Sequence, residues 1–244
     1  MVIIMKEKYE KEYYLRISDF DCRGCLQPAS VLDLFQDVAG AHANQLGIGL
    51  GGDTNLIWVL VKVQYQELLP VEMYSKVKVT TWPIKPTGIV FQRDYTIEDA
   101  EGNTVVKGTS EWVVVHSEKR KMVPVKDIYP LETFCEDRTF EGKLARLRPE
   151  ESNGEVFEVV TGFSDIDVNG HVNNTKYANF VMNAIKPTEQ TVIDIFRIDY
   201  HKEVLGGATL DLFVTRGENA VAVIGKSKDN EAMFTCSITF KGNN

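Results

Sequence analysis

The sequence has few cysteines, no long apolar run and no surplus of positive charge. Four cysteines in 244 residues, Cys22, Cys25, Cys135 and Cys236, are too few for a disulfide scaffold. Cys22-Arg-Gly-Cys25 has the spacing of a metal or redox pair. A zinc site needs a second pair, and a dithiol oxidoreductase needs a thioredoxin-like context; neither is present. Both thiols are read as unligated, and neither metal nor other cofactor is expected. Apolar stretches such as Leu56-Ile-Trp-Val-Leu-Val61 fall far short of a membrane span. The opening Met1-Val-Ile-Ile-Met runs at once into Lys6-Glu-Lys-Tyr-Glu-Lys, without the features of a signal peptide. A cytoplasmic protein with no membrane insertion is therefore expected. The net charge of -8 argues against nucleic acid and against an anionic membrane surface.

What is present is a core-forming chain, with 43% apolar and 25% charged residues. Tyr9 to Ile17 alternates as a first strand. From Pro28 the period is helical: Val31, Leu34, Phe35, Val38 and Leu46 recur at helical spacing, with Pro28 suited to a first turn and Gly47 to a terminus. Ala39, Gly40, Ala41 and Ala43 make this helix small-sided, so something packs closely on it. Gly47 to Asp53 lacks the context of a phosphate loop and is a connection. Strands follow from Leu56 to Gln66, Lys76 to Trp82, Gly88 to Glu98 and Thr104 to His116. Ser75-Lys-Val-Lys-Val-Thr-Thr81 alternates polar and apolar, as in a sheet with one buried face.

Residues 128–154 lose the period, carry charge and hold Pro130 and Pro149. They are the expected linker between an N-terminal unit, 1–127, and a C-terminal unit, 155–244. The second unit repeats the plan: a strand from Phe157 to Gly162, a polar stretch, a helix to about Ile185, then four strands between Gln190 and Lys241. Asp21-Cys-Arg-Gly-Cys-Leu aligns without a gap on Asp167-Val-Asn-Gly-His-Val, and Val63-Gln-Tyr-Gln on Ile198-Asp-Tyr-His. Duplication is the simplest account. In the first copy Cys25 stands for His171 and Arg23 for Asn169, so that copy is read as catalytically silent. A helix followed by four antiparallel strands is solved economically by a sheet that curls around the helix. Two such units side by side share one sheet. The expected class is α+β, a tandem (double) hotdog: two long helices, each wrapped by an antiparallel sheet, the sheets joined side by side.

The chemistry concentrates between the second first-strand and its helix. Asp167, Asn169 and His171 lie two apart and would share one face of an extended segment. Asn173 or Asn174 can cap the helix that follows. Free N–H groups of that first turn favour negative charge, and donors of this kind contribute about 3 kcal/mol each at an acyl-transfer oxyanion. His171 can move protons near neutral pH, and Asp167 can act as base toward water or as nucleophile.

Asp167-Val-Asn-Gly-His-Val-Asn-Asn-Thr-Lys-Tyr177 resembles the D-x-N-x-H-V-N-N-x-K-Y signature of acyl-acyl carrier protein thioesterases, enzymes that end fatty acid synthesis. Trp58-Val-Leu, Thr81-Trp82, Arg93-Asp94 and Thr109-Ser-Glu-Trp112 resemble the same family's first half, and Tyr200-His-Lys-Glu203-Val204 resembles its Y-R-R-E-C segment. The resemblance implies hydrolysis of fatty acyl-acyl carrier protein to free fatty acid, by a network of Asp167, Asn169, His171 and Glu203. Val204 stands where the family has cysteine. That removes a Cys–His mechanism and leaves carboxylate and water chemistry, with either Glu203 or Asp167 in the leading role. His201-Lys202 replaces two arginines. Trp58, Trp82, Asn173 and Asn174 are expected at the substrate, in a slot supplied by the N-terminal unit. Lys119, Arg120, Lys121 and Lys126 are expected to dock the acidic carrier with its acyl-phosphopantetheine arm. A monomer or homodimer is expected. The alternative is an acyl-coenzyme A thioesterase, since single-hotdog enzymes resemble part of the same motif. The intact Asp, Asn, His and Glu set argues against an idle lipid-binding or dehydratase-like module.

Overall fold

Alternate burial decides which way each strand faces. The computed structural model describes residues 7–49, 55–124, 127–128, 134–148 and 154–242. In it, β1 (Tyr9–Tyr14) is followed by α1 (Pro28–Gln45), β2 (Leu56–Glu67), β3 (Lys76–Pro83), β4 (Phe91–Glu98), β5 (Thr104–His116) and a short β6 (Lys121–Val123). On β3, Val77 and Val79 are buried toward α1, and on β4 so are Phe91, Arg93, Tyr95 and Ile97. The second half adds β7 (Glu155–Val160), α2 (Lys176–Ile185), β8 (Ile193–Tyr200), β9 (Thr209–Arg216), β10 (Ala220–Ser227) and β11 (Ala232–Phe240). β1 stops at Tyr14, short of Ile17, because Arg16 N–H turns to Asp19 Oδ2 at 2.6 Å. β4 begins at Phe91, not Gly88, because Thr87 and Val90 bond each other across a tight turn in which Gly88 has a φ of 65°. Three-residue β6, Lys-Met-Val, is too short to show an alternation in the sequence.

All the strands join one sheet in the order β1-β3-β4-β5-β2-β8-β11-β10-β9-β7, with β6 on β5. This is the double hotdog. The halves meet where β2 pairs antiparallel with β8, and Val63 faces Ile198 across that seam. These two residues are equivalents in the repeat, which places a pseudo-twofold axis between them.

The eighteen-residue α1 begins at Pro28 and buries Val31, Leu32, Phe35, Val38, Ala39 and His42. The ten-residue α2 buries Tyr177, Phe180, Val181 and Ile185. It ends at Lys186, in the left-handed region just before Pro187. One apolar core runs through both halves, and each large side chain in it contributes about 1.5–3 kcal/mol. Phe35 stacks on Tyr95 with ring centroids 4.2 Å apart, and a Cβ added at Gly108 would overlap the Phe35 ring. Gly108 is what lets α1 lie this low on β5.

The connecting segment crosses the opposite face of the sheet. Trp82 Nε1 donates to Asp137 O at 2.9 Å, Thr139 N–H to Asp94 Oδ2 at 2.7 Å and Thr139 Oγ1 to Gly108 O at 2.8 Å. Farther along, Lys62 Nζ donates to Leu144 O at 2.7 Å and Leu147 N–H to Asp199 Oδ2 at 2.8 Å. The segment thus passes β4, β5, β2 and β8 in sheet order and spans the seam. Among the described residues no helix is long and apolar enough to cross a membrane.

Candidate active site

Asp167 folds its own loop. Its Oδ1 accepts the N–H of Asn169 at 2.8 Å and of His171 at 3.3 Å, while Oδ2 accepts Asn169 Nδ2 at 3.2 Å. Asp167 N–H returns to His171 O at 2.8 Å, and Gly170 takes a φ of 81° that favours glycine. The segment is therefore a tight turn, not the extended segment expected. A carboxylate can satisfy several N–H groups at once, and this one closes the loop before alternation can be established. Asp167, Asn169 and His171 are brought together by that closure.

The first copy repeats the bonding. Asp21 Oδ1 accepts the N–H groups of Arg23 at 2.9 Å and Cys25 at 3.2 Å, Asp21 N–H returns to Cys25 O at 2.9 Å, and Gly24 has a φ of 76°. Arg23 donates Nη2 to Asp21 Oδ2 at 2.6 Å, where Asn169 uses its amide in the other copy. Arg23 Nη1 also reaches Thr191 O in the second half at 2.6 Å.

Glu203 lies three residues past the end of β8, on a loop. A bridge between His171 and Leu205, with Val172 N–H donating to Val204 O at 2.8 Å, lays this loop against the turn. Glu203 Oε2 is 3.4 Å from His171 Nε2 and accepts from Arg120 Nη1 at 3.3 Å. Val204 is buried, so the thiol position beside the glutamate is apolar. Tyr177 is also buried. Burial pushes its phenol pKa up; the Val204 N–H opposes that shift, while Glu203 and Asp167 add to it. The phenol stays protonated within electrostatic reach of both carboxylates. His201 is half-buried on Thr235 Oγ1 at 2.7 Å, and burial and Arg146 lower its pKa; Lys202 pairs with Glu231.

Beside the turn lies a cavity of about 230 Å³. Gln36, Ala39, Gly40 and Ala43 form one stripe of α1 along it, which accounts for the small residues of that helix. Trp58, Phe91 and Trp112 supply aromatic walls, Trp58 meeting Phe91 edge-on with centroids 4.5 Å apart. Asp167, Asn169 and Asn174 enter from the second half.

Trp82 does not line the cavity. It pairs with Asp94 on the face opposite Val77 and Val79, and is buried with Ile84 and Cys135 under the connecting segment. Asn173 holds the start of α2: its Oδ1 accepts from Thr175 N–H at 3.1 Å, while the cap position itself is Thr175. Lys119 and Lys121 are exposed at the β5–β6 hairpin with Arg120, and Lys126 lies outside the described residues.

The family model of the acyl-ACP thioesterase N-terminal domain matches residues 6–130, and that of the C-terminal domain matches residues 148–243. The chain belongs to the acyl-ACP thioesterase family. It is 23% identical to oleoyl-acyl carrier protein thioesterase 1 of Arabidopsis thaliana, over 96% of this chain and 72% of that protein. Its fold matches an acyl-ACP thioesterase from Bacteroides thetaiotaomicron with a TM-score of 0.88 at 23% identity, over 96% and 98% of the two chains. It matches the 12:0-ACP thioesterase of Umbellularia californica with a TM-score of 0.80 at 18% identity, over 97% and 98%. As an acyl-ACP thioesterase the chain is a thioester hydrolase acting on fatty acyl-acyl carrier protein, and the coenzyme A alternative gains no support. In this thioesterase, sequence reasoning passed over Gln36, Phe91 and Trp112 at the cavity and Tyr177 behind the carboxylates. Strand parity would have selected Phe91, and the stripe that contains Gly40 would have selected Gln36.

Proposed function

We propose that Glu203 and His171 carry the proton transfers of thioester hydrolysis, and that Asp167 and Asn169 organise the turn on which they act. The observation that carries this is the pairing of Glu203 with His171 at 3.4 Å, on a turn whose Asp167 and Asn169 also line the cavity. Both Asp167 oxygens already accept hydrogen bonds within the turn. Glu203 is the less committed carboxylate and acts as base. It takes a proton from water as the oxygen attacks the thioester carbonyl. Asn169 keeps one amide N–H beyond the one given to Asp167, and that N–H meets the developing oxyanion. As the C–S bond breaks, the proton that Glu203 took from water passes through His171 to the leaving thiolate, and the fatty acid is released with Glu203 again a carboxylate. The cavity takes the acyl chain, with α1 and Trp58 as its walls. The N-terminal unit thus supplies the slot and the C-terminal unit the chemistry.

Thiol release from acyl-acyl carrier protein tests this. Glu203→Gln and Asp167→Asn should each lower kcat at least about 100-fold, the usual contribution of a positioned base, with folding unchanged by circular dichroism. Wild-type turnover in Glu203→Gln sinks the assignment.

A further inference from the structure

The N-terminal half sends one side chain onto the catalytic pair. Arg120 sits on the hairpin between β5 and β6 with a φ of 52°, in the left-handed region that arginine rarely adopts. Its Nη1 donates to Glu203 Oε2, the same oxygen that lies 3.4 Å from His171 Nε2. Arginine and histidine thus share one carboxylate oxygen. The Arg120 side chain is 69% exposed, which leaves the ion pair open to a competing anion. Lys119 and Lys121 flank it, a run of three cations in a chain of net charge -8. Phe163, Val168 and Leu205, all exposed, rim the same turn with apolar surface.

We propose that Arg120 is a carrier-sensing positioning residue. In the free enzyme it holds Glu203 through the shared oxygen. When the acyl-phosphopantetheine arm enters, its phosphodiester takes the guanidinium, and Glu203 Oε2 is left to His171. A guanidinium fits a phosphate with two parallel hydrogen bonds, a better match than the single 3.3 Å contact to Glu203. The acidic carrier then rests on Lys119 and Lys121, with the apolar rim around the arm. The proposal rests on Glu203 being the base.

Three substrates with one acyl chain test it: the chain on carrier protein, on phosphopantetheine, and on pantetheine without phosphate. Wild-type kcat should be about two- to fivefold lower on the pantetheine thioester than on the phosphopantetheine thioester, the range of an exposed ion pair. Arg120→Ala should raise kcat on the pantetheine thioester by that factor and erase the phosphate effect. It should also raise KM for the carrier-borne substrate about tenfold, with partial recovery in Arg120→Lys. Equal changes on all three substrates, or no change on any, overturn the proposal. Glu203→Gln is measured alongside: wild-type turnover there removes the base itself, a failure distinct from loss of the phosphate effect.

Discussion

Glu67 should make this protein less stable in mild alkali than in mild acid. It ends β2, and its Oε1 is shut off from solvent beside the equally buried Tyr65 hydroxyl, without a well-formed hydrogen bond among the described residues. Burial is the largest influence and raises its pKa from 4.5 to about 7; Lys241 and Arg23 oppose the shift, and Asp21 adds to it. The folded carboxyl therefore keeps its proton to about neutrality, whereas the unfolded one releases it near 4.5. The folded state binds the extra proton between those values, so stability falls as pH rises through that window and levels off above it. The loss above pH 8 is about 3 kcal/mol, from 1.36 kcal/mol for each tenfold change in proton affinity. Glu67→Gln keeps the shape of the protonated side chain and removes the ionisation. It should match the parent protein near pH 5 and exceed it near pH 8.5 by roughly 6–12 °C in Tm, at ~2–4 °C per kcal/mol for a chain of this size. Thermal unfolding at the two pH values reads this directly. A Tm difference that is the same at both would refute the reasoning.

Gly108→Ala should destabilise by about 1–3 kcal/mol through overpacking against Phe35, with partial recovery on adding Phe35→Leu, as read by urea unfolding. A Cβ at Gly40 meets nothing within 4 Å, so Gly40→Leu should fold and fill the cavity. It should shift kcat/KM toward shorter acyl chains by about tenfold or more in a chain-length series. Asp94→Ala should cost about 3 kcal/mol in the same unfolding assay, because the buried carboxylate accepts from Thr109 Oγ1 at 2.7 Å and Thr139 N–H at 2.7 Å.

The periodicity of β5 and β11 and the helical spacing from Pro28 were legible because burial on one face leaves a direct trace in the residue pattern. So was the gapless match of Asp21 to Leu26 with Asp167 to Val172, which reappears as matched hydrogen bonds. The bend of the Asp167–His171 loop was not legible, since a D-x-N-x-H spacing suits an extended segment as well as a turn closed by its own aspartate. Trp82, expected at the substrate, lies away from the cavity, and strand parity carries that information: Val77 and Val79 set the inner face, and an even-numbered neighbour on the same strand points away. The contact of Arg120 with Glu203 joins residues 83 apart through a hairpin tip, and no local pattern encodes it. Glu67 was passed over because the charges that act on it, Lys241, Arg23 and Asp21, come from distant parts of the chain.

The seam at Val63 and Ile198 has a consequence for how such a chain can change. In a dimer of identical subunits every substitution appears twice, so a residue that widens an acyl slot would also enter the copy proposed to carry the chemistry. Joining the copies in one polypeptide, with the connection laid across the seam, lifts that constraint. It also makes their association independent of protein concentration, because each half meets the other at a fixed effective concentration. Arg23 and Cys25 can then stiffen one turn while Asn169 and His171 serve the other. Asymmetry in this protein is a property of covalent linkage, acting on two copies whose turns keep the same backbone hydrogen bonds.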